Sequence, residues 1–316
     1  MKITLLGGTR FIGAAALEEL AEHGHDVTVV HRGQSERDDL PQVPHVHLDR
    51  SNVAALRTAL TDTGAEVVVD TCAYSRRDAE TVVEALPDAT RLVVLSSMDT
   101  YRQFHRLRAG LPPLDPLPLD EGSPTRTGDE RYMFRSEQAP SGGGAGNMDD
   151  YENLDVEEVA LGRNAAVLRL PMVYGERDPM RREEFILGPV RMGAAKITVG
   201  AGTLLWTKGW VRDVARAIRL AAETDAADGH VLNIGERQSM PIIGWAQQIL
   251  DAAGSTAELD IVPADQLNEA LALTGPLNQH ILVDSSKARR LLGWEDTDPA
   301  TAIAASVAWH LANAPE

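Results

Sequence analysis

The chain has 316 residues, 43% of them hydrophobic, and a formal net charge of −17, material for one large α/β domain or two modest ones. Its apolar runs, such as 67–69 and 92–95, fall far short of the ~20 residues that span a bilayer. The chain also enters a strand at once where a leader would sit, so no membrane partner and a cytoplasmic location are expected. The acidity opposes polyanion binding, so no nucleic-acid partner is expected. The single cysteine, Cys72, excludes an internal disulfide, and no Cys/His grouping has the compact spacing of a zinc site, so no metal is expected.

In chain order, short β-branched runs alternate with amphipathic stretches, the pattern of a parallel sheet covered on both faces. Strands are predicted at 2–6, 26–31, 45–48, 66–70, 91–96 and 165–170, and helices at 11–22, 52–62, 77–85 and 151–161. Between 102 and 150 the pattern fails, with clustered prolines at 112–118 and glycines at 142–144. This segment is read as a long loop or mobile lid over the site. Further on, a strand is predicted at 196–199 and helices at 211–222, 242–253 and 285–292. The fold class expected is α/β, a Rossmann-type doubly wound parallel sheet over residues 1–175, with a smaller C-terminal α/β substrate lobe over 176–316 that returns segments to the sheet.

Gly7-Gly8-Thr9-Arg10-Phe11-Ile12-Gly13 follows a strand directly and opens a helix, the context a dinucleotide loop requires. Glycines let the backbone approach a pyrophosphate, and the helix start offers N–H groups and partial positive charge. An NAD or NADP cofactor is therefore expected. The second strand ends in His31-Arg32-Gly33 with no carboxylate at its tip, where an acid would favour NAD. Arg32 and Arg10 suit a 2′-phosphate, so NADP is the preferred form. Asp49, ending the third strand, is placed to contact the adenine; the alternative for it is a place beside a helix N-cap. Cys72, Ala73 and Ser96, at the ends of the next strands, complete the expected cofactor lining.

Further motifs stand in a fixed order: Leu95-Ser96-Ser97-Met98-Asp99-Thr100-Tyr101, Arg169-Leu170-Pro171-Met172-Val173-Tyr174-Gly175, Trp210-Val211-Arg212-Asp213-Val214-Ala215, Leu232-Asn233-Ile234-Gly235, and Asp284-Ser285-Ser286-Lys287-Ala288-Arg289 before Leu292-Gly293-Trp294. Together with the glycine loop, this series resembles the extended short-chain dehydrogenases/reductases, the NAD-dependent epimerase/dehydratase family acting mostly on sugar nucleotides. The resemblance implies that Ser97 hydrogen-bonds the reacting oxygen and that Pro171, Met172 and Val173 line the nicotinamide end. It places Trp206 and Trp210 near the substrate, and it implies a homodimer and a hydroxylated small-molecule substrate.

The family's catalytic Tyr-x-x-x-Lys pair is incomplete. No lysine occurs between Lys2 and Lys196; one frame of the motif gives Asp149 and Asn153, and the other gives Tyr151 and Asp155. A tyrosine with a pKa near roughly 10 is a poor base at neutral pH without a nearby cation. Proton handling therefore falls to Tyr151, Tyr101 or Asp149, although Asp149 and Asp150 also suit the start of a helix. Atypical members with a similar start lack the pair too, among them relatives of chloroplast stem-loop-binding proteins, which associate with RNA. Three roles stay open: a redox or epimerase/dehydratase-type enzyme, a non-redox enzyme on the same fold, and a cofactor-sensing protein without turnover.

Overall fold

A computed structural model describes residues 1–131, 150–200, 202–263, 267 and 279–315. Strands β1 (Lys2–Leu6), β2 (Asp26–His31), β3 (His45–His47), β4 (Val67–Asp70), β5 (Arg91–Ser97), β6 (Ala166–Leu170) and β10 (Val231–Asn233) form one seven-stranded sheet. Its order is β10-β6-β5-β4-β1-β2-β3, every pair parallel. This is a doubly wound, Rossmann-type sheet, and the order reverses between β1 and β4, where such sheets open a crevice at their carboxyl ends. The continuous apolar runs reflect burial on both faces. Leu5 and Val29 point into one core with α1 (Phe11–Glu22) and α7 (Val211–Glu223). Leu6 and Val30 point into the other, with α2 (Val53–Thr63), α3 (Arg76–Ala85) and α5 (Asn153–Gly162).

Local chemistry sets the helix starts. Asn52 accepts from the Ala55 N–H at 3.1 Å to start α2, and Ser75 and Asp78 form a capping box on α3. A third apolar cluster gathers α6 (Glu184–Arg191), β8 (Lys196–Val199), α8 (Ile242–Ala252), β11 (Glu258–Ile261) and α10 (Pro299–Ala312). There β8 pairs β11, while β7 (Met172–Tyr174) pairs β9 (Lys208–Trp210). The helix α9 (Ser286–Leu292) leads to Trp294, which is buried against α7 with its indole N–H on the Asp213 carbonyl at 2.8 Å.

The segment after Tyr101 differs from the loop expected of it. Its first residues form α4 (Arg102–Arg108), because Phe104 and Leu107 pack with Met98, Tyr101, Leu119 and Ile281 in a small cluster of their own. The part that follows is tied down as far as 131. Leu119 exchanges backbone bonds with Leu282 and Asp284 at 2.7 and 2.8 Å, and Arg126 is 2% exposed. Asp149 and the glycine run 142–144 lie outside the described residues. Among the described residues, no helix is long and apolar enough to cross a membrane.

Candidate active site

The glycine loop sits where β1 and β4 part. Gly7 and Gly8 have φ of +104° and +80°, a region that disfavours side chains. A Cβ on Gly7 would lie 2.3 Å from Thr71 Oγ1, and one on Gly13 would lie 2.7 Å from the backbone nitrogen of Gly8. The first turn of α1 is therefore pressed onto the loop. No side chain caps this helix start, where Arg10 stands at the N-cap position, so its N–H groups and dipole face the crevice. Thr9 is buried and its hydroxyl meets Ser35 at 2.7 Å, tying the loop after β2 to the cradle. Phe11 and Ile12 turn into the core, and Arg10 is exposed at the rim.

Beside this cradle lie the ends of β2, β3 and β4. Arg32 is exposed; His31 is half-buried. Asp49 Oδ1 accepts from the Ser51 N–H at 2.9 Å, and that bond, with the Arg32 charge adding, holds its carboxyl below the usual carboxylate range. Ala73 is buried. Arg50 pairs with Asp70 at 2.6 Å and reaches Cys72 Sγ at 3.0 Å. Desolvation outweighs that cation and pushes the Cys72 thiol up to about 11, so it is a protonated wall at neutral pH.

At the end of β5, Ser97 is half-buried and its Oγ accepts from the Asp99 N–H at 3.1 Å. Ser96 faces the opposite way and donates to Glu157 at 2.6 Å, beside the buried Arg169–Glu157 pair, so its side chain is not in the crevice. Tyr101, expected as a proton carrier, is fully buried; its hydroxyl donates to Asn233 at 2.7 Å beneath the Arg169 guanidinium. Pro171, just past β6, and Val173, in β7, are buried, and Met172, like Phe104 and Trp206, packs against the small cluster that holds Met98. The indole of Trp206 meets Phe104 edge-on at 6.1 Å.

Tyr151 stands just before α5, and its hydroxyl donates to Asp99 Oδ2 at 2.7 Å. Asn153, which occupies the lysine position in one frame of the motif, donates to the Tyr151 oxygen at 2.7 Å and reaches Asp99 Oδ1 at 3.4 Å. Burial, followed by the Asp99 charge, pushes the Tyr151 hydroxyl well above its ordinary value, the reverse of what a lysine does. Burial likewise raises Asp99, although Arg126 stands 3.9 Å away and opposes the shift. Asp99 was given no role by motif reading, and Asn153 entered only as the residue standing in the lysine position of one frame. The available signal was an acid inside the Ser-Ser-Met-Asp segment, visible only once Tyr151 was placed against it.

Behind this trio, Arg126 and Glu152, both side chains fully buried, form a two-pronged pair at 2.8 Å. Glu152 also caps α5 by accepting from the Leu154 N–H at 3.0 Å. Glu152→Ala strands the Arg126 charge without water, so we expect a loss of about 3–5 kcal/mol in urea denaturation. A midpoint within error of wild type would show that the pair carries no stability.

A family model described as NAD(P)H-binding matches residues 7–113. The chain is 24% identical over 310 residues to the chloroplast stem-loop binding protein of 41 kDa b of Arabidopsis thaliana, covering 93% of this chain and 75% of that one. It is 24% identical over 326 residues to a UDP-glucose 4-epimerase of Corynebacterium glutamicum, covering 96% and 94%. A solved UDP-glucose-4-epimerase from Stenotrophomonas maltophila, with bound NAD and formylated UDP-arabinopyranose, superposes with a TM-score of 0.73 at 18% identity, covering 99% and 98%. At these identities the likeness to the solved epimerase shows a shared fold, the Rossmann-type doubly wound sheet, and over 7–113 the chain is similar to NAD(P)H-binding proteins.

Proposed function

We propose that the chain is an NADP- or NAD-dependent oxidoreductase or epimerase/dehydratase-type enzyme acting on a hydroxylated small molecule such as a sugar nucleotide. The observation that carries this reading is the glycine turn at the switch point, where Gly7, Gly8 and Gly13 admit no Cβ because protein atoms already lie 2.3, 2.8 and 2.7 Å from where it would stand, so the start of α1 is held close against the loop. Gly7 to Gly13 would hold the pyrophosphate, Arg32 and Arg10 the 2′-phosphate, Asp49 the adenosine end, and Pro171, Met172 and Val173 the nicotinamide end. Met98, Phe104 and Trp206 give the substrate an apolar wall.

When bound, the nicotinamide supplies the hydride acceptor or donor. The chain's own part is to hold the reacting hydroxyl and move its proton. Ser97 orients the substrate oxygen. Tyr151 takes the hydroxyl proton onto its oxygen as it passes its own to Asp99 Oδ2, so no tyrosinate forms and no lysine is required. Asn153 keeps the two groups aligned by donating to both. A carboxylate raised by burial is a stronger acceptor than one in water, which suits Asp99 to this task.

Calorimetric titration of nucleotide-free protein with NADPH, NADP, NADH and NAD tests the reading, followed by a panel of nucleotide sugars. Binding of one form supports it; no binding of any form would overturn it. Arg32→Asp should move preference from NADPH towards NADH by roughly tenfold or more, the worth of one charge-assisted bond to phosphate. An unchanged ratio would remove Arg32 from the site. The homodimer implied by resemblance belongs to the same reading, and light scattering decides it. The stem-loop-binding role named for the Arabidopsis relative is not carried over, since a charge of −17 opposes a polyanion.

A further inference from the structure

At the outer edge of the sheet, β2 and β3 end in a group of side chains that neither the cradle core nor the proton path uses. Parallel register sets His31 opposite His47 and Val29 opposite His45. The two-residue period of a strand then turns His31, His45 and His47 to one face. Gly33, at φ +74°, folds the chain back over the His47 ring and brings Glu36 to the same place.

His31 Nε2 lies 2.7 Å from His45 Nδ1 and 3.5 Å from Glu36 Oε1. His47 Nε2 touches that same Oε1. All four atoms lie within 4.8 Å of one another. The His31 ring meets the His45 and His47 rings edge-on, each with centroids 4.9 Å apart. A single His–Glu hydrogen bond would satisfy an ordinary surface pair; two imidazoles on one carboxylate oxygen, with the nitrogen of a third 2.7 Å from one of them, exceed that need. A tetrahedral ion with bonds of about 2.0–2.1 Å separates its ligand atoms by about 3.3 Å, within the spacing seen here.

We propose that His31, Glu36, His45 and His47 form a binding site for a divalent first-row cation of the zinc type. Three neutral nitrogens and one carboxylate suit such an ion better than magnesium or calcium, which take oxygen shells. The His31 ring is 6% exposed and anchors the site, while Glu36 and His47, at 49% and 55%, leave it open to solvent. The Gly33 N–H now donates to His31 Nδ1 at 3.1 Å. Loading moves the ring proton from Nε2 to Nδ1 and releases that contact. The ligands are spread over 31, 36, 45 and 47, a spacing with no compact zinc signature, which is why no metal was expected from the sequence.

The test uses the full chain with any polyhistidine tag removed and metals stripped by chelator. After dialysis against Zn²⁺, elemental analysis should find one equivalent, and Co²⁺ loading should give the intense visible bands of a tetrahedral nitrogen site. His45→Gln and His47→Gln, both at exposed positions, should each weaken Zn²⁺ at least roughly 10- to 100-fold, with far-UV dichroism and NADPH affinity as folding controls. Equal zinc binding by wild type and both variants, or Co²⁺ spectra of a purely hydrated ion, would overturn the site. Loss of zinc with NADPH binding intact supports the site whatever the fate of the enzymatic reading.

Discussion

Gly13→Leu is expected to reduce NADPH affinity by at least about 100-fold, to the point where calorimetry detects no binding. The clash is with backbone: a Cβ at 13 would lie 2.7 Å from the Gly8 nitrogen and 3.0 Å from its Cα, so no flexible side chain can yield. Either α1 lifts or the loop shifts, and both move the N–H groups that a pyrophosphate needs. Overpacking of this kind costs about 1–3 kcal/mol, a fraction of a typical folding free energy, so far-UV dichroism should change little. Gly162→Ala, with nothing within 4 Å, is the matched control and should bind normally. Undiminished affinity in Gly13→Leu would remove the cradle as the cofactor site.

Asp99→Asn and Tyr151→Phe are each expected to lower kcat by about 10²- to 10⁴-fold, the usual worth of general acid–base catalysis, while cofactor affinity stays within a few-fold. A combined variant should be little worse than either single one, because the two groups act as one proton path. The pH profile separates this from simple misfolding. Burial raises Asp99, so the rate of alcohol oxidation should rise with pH through a limb above the ordinary aspartate value near about 3.9. The carboxylate accepts only when ionised, so the rate is lost as pH falls, and Asp99→Asn should erase the limb. Wild-type kcat in both variants would sink the path from substrate to Tyr151 to Asp99.

Much of the first half was readable because its signals are local. Buried parallel strands leave unbroken apolar runs, and Ser75 with Asp78 announces α3 by a capping box. The later chain is harder. Pro189 lies inside α6, where the residue type argues against a helix, and packing of Ile186 and Leu187 against Trp245 overrides it. Asp298-Pro299, a good helix start, opens α10 and went unread because alanines blur its apolar stripe. β10 is three residues long and becomes a strand only by pairing with β6.

The site divides in the same way. The glycine loop is contiguous, and both it and Ser97 are candidates that the sequence alone puts forward. Ser96 and Tyr101 are motif residues whose orientation no spacing reveals, and the structure turns both away from the crevice. Asp99, Arg126 and the adjacent pair Glu152-Asn153 come from three separate segments, so only the fold assembles them.

The late arrival of β10 also bears on how the chain is made. β6, buried along its whole length in the finished sheet, has one edge that nothing covers until residues 231–233 exist. At about 5–20 residues per second, the ribosome takes roughly 3–12 s to add the intervening stretch. Through that interval an apolar strand edge stands open to other nascent chains. A gene fragment ending at Gly175 would fix the protein in that state, so expression yield should collapse for such a fragment and return when the coding sequence is extended past Asn233 and α9.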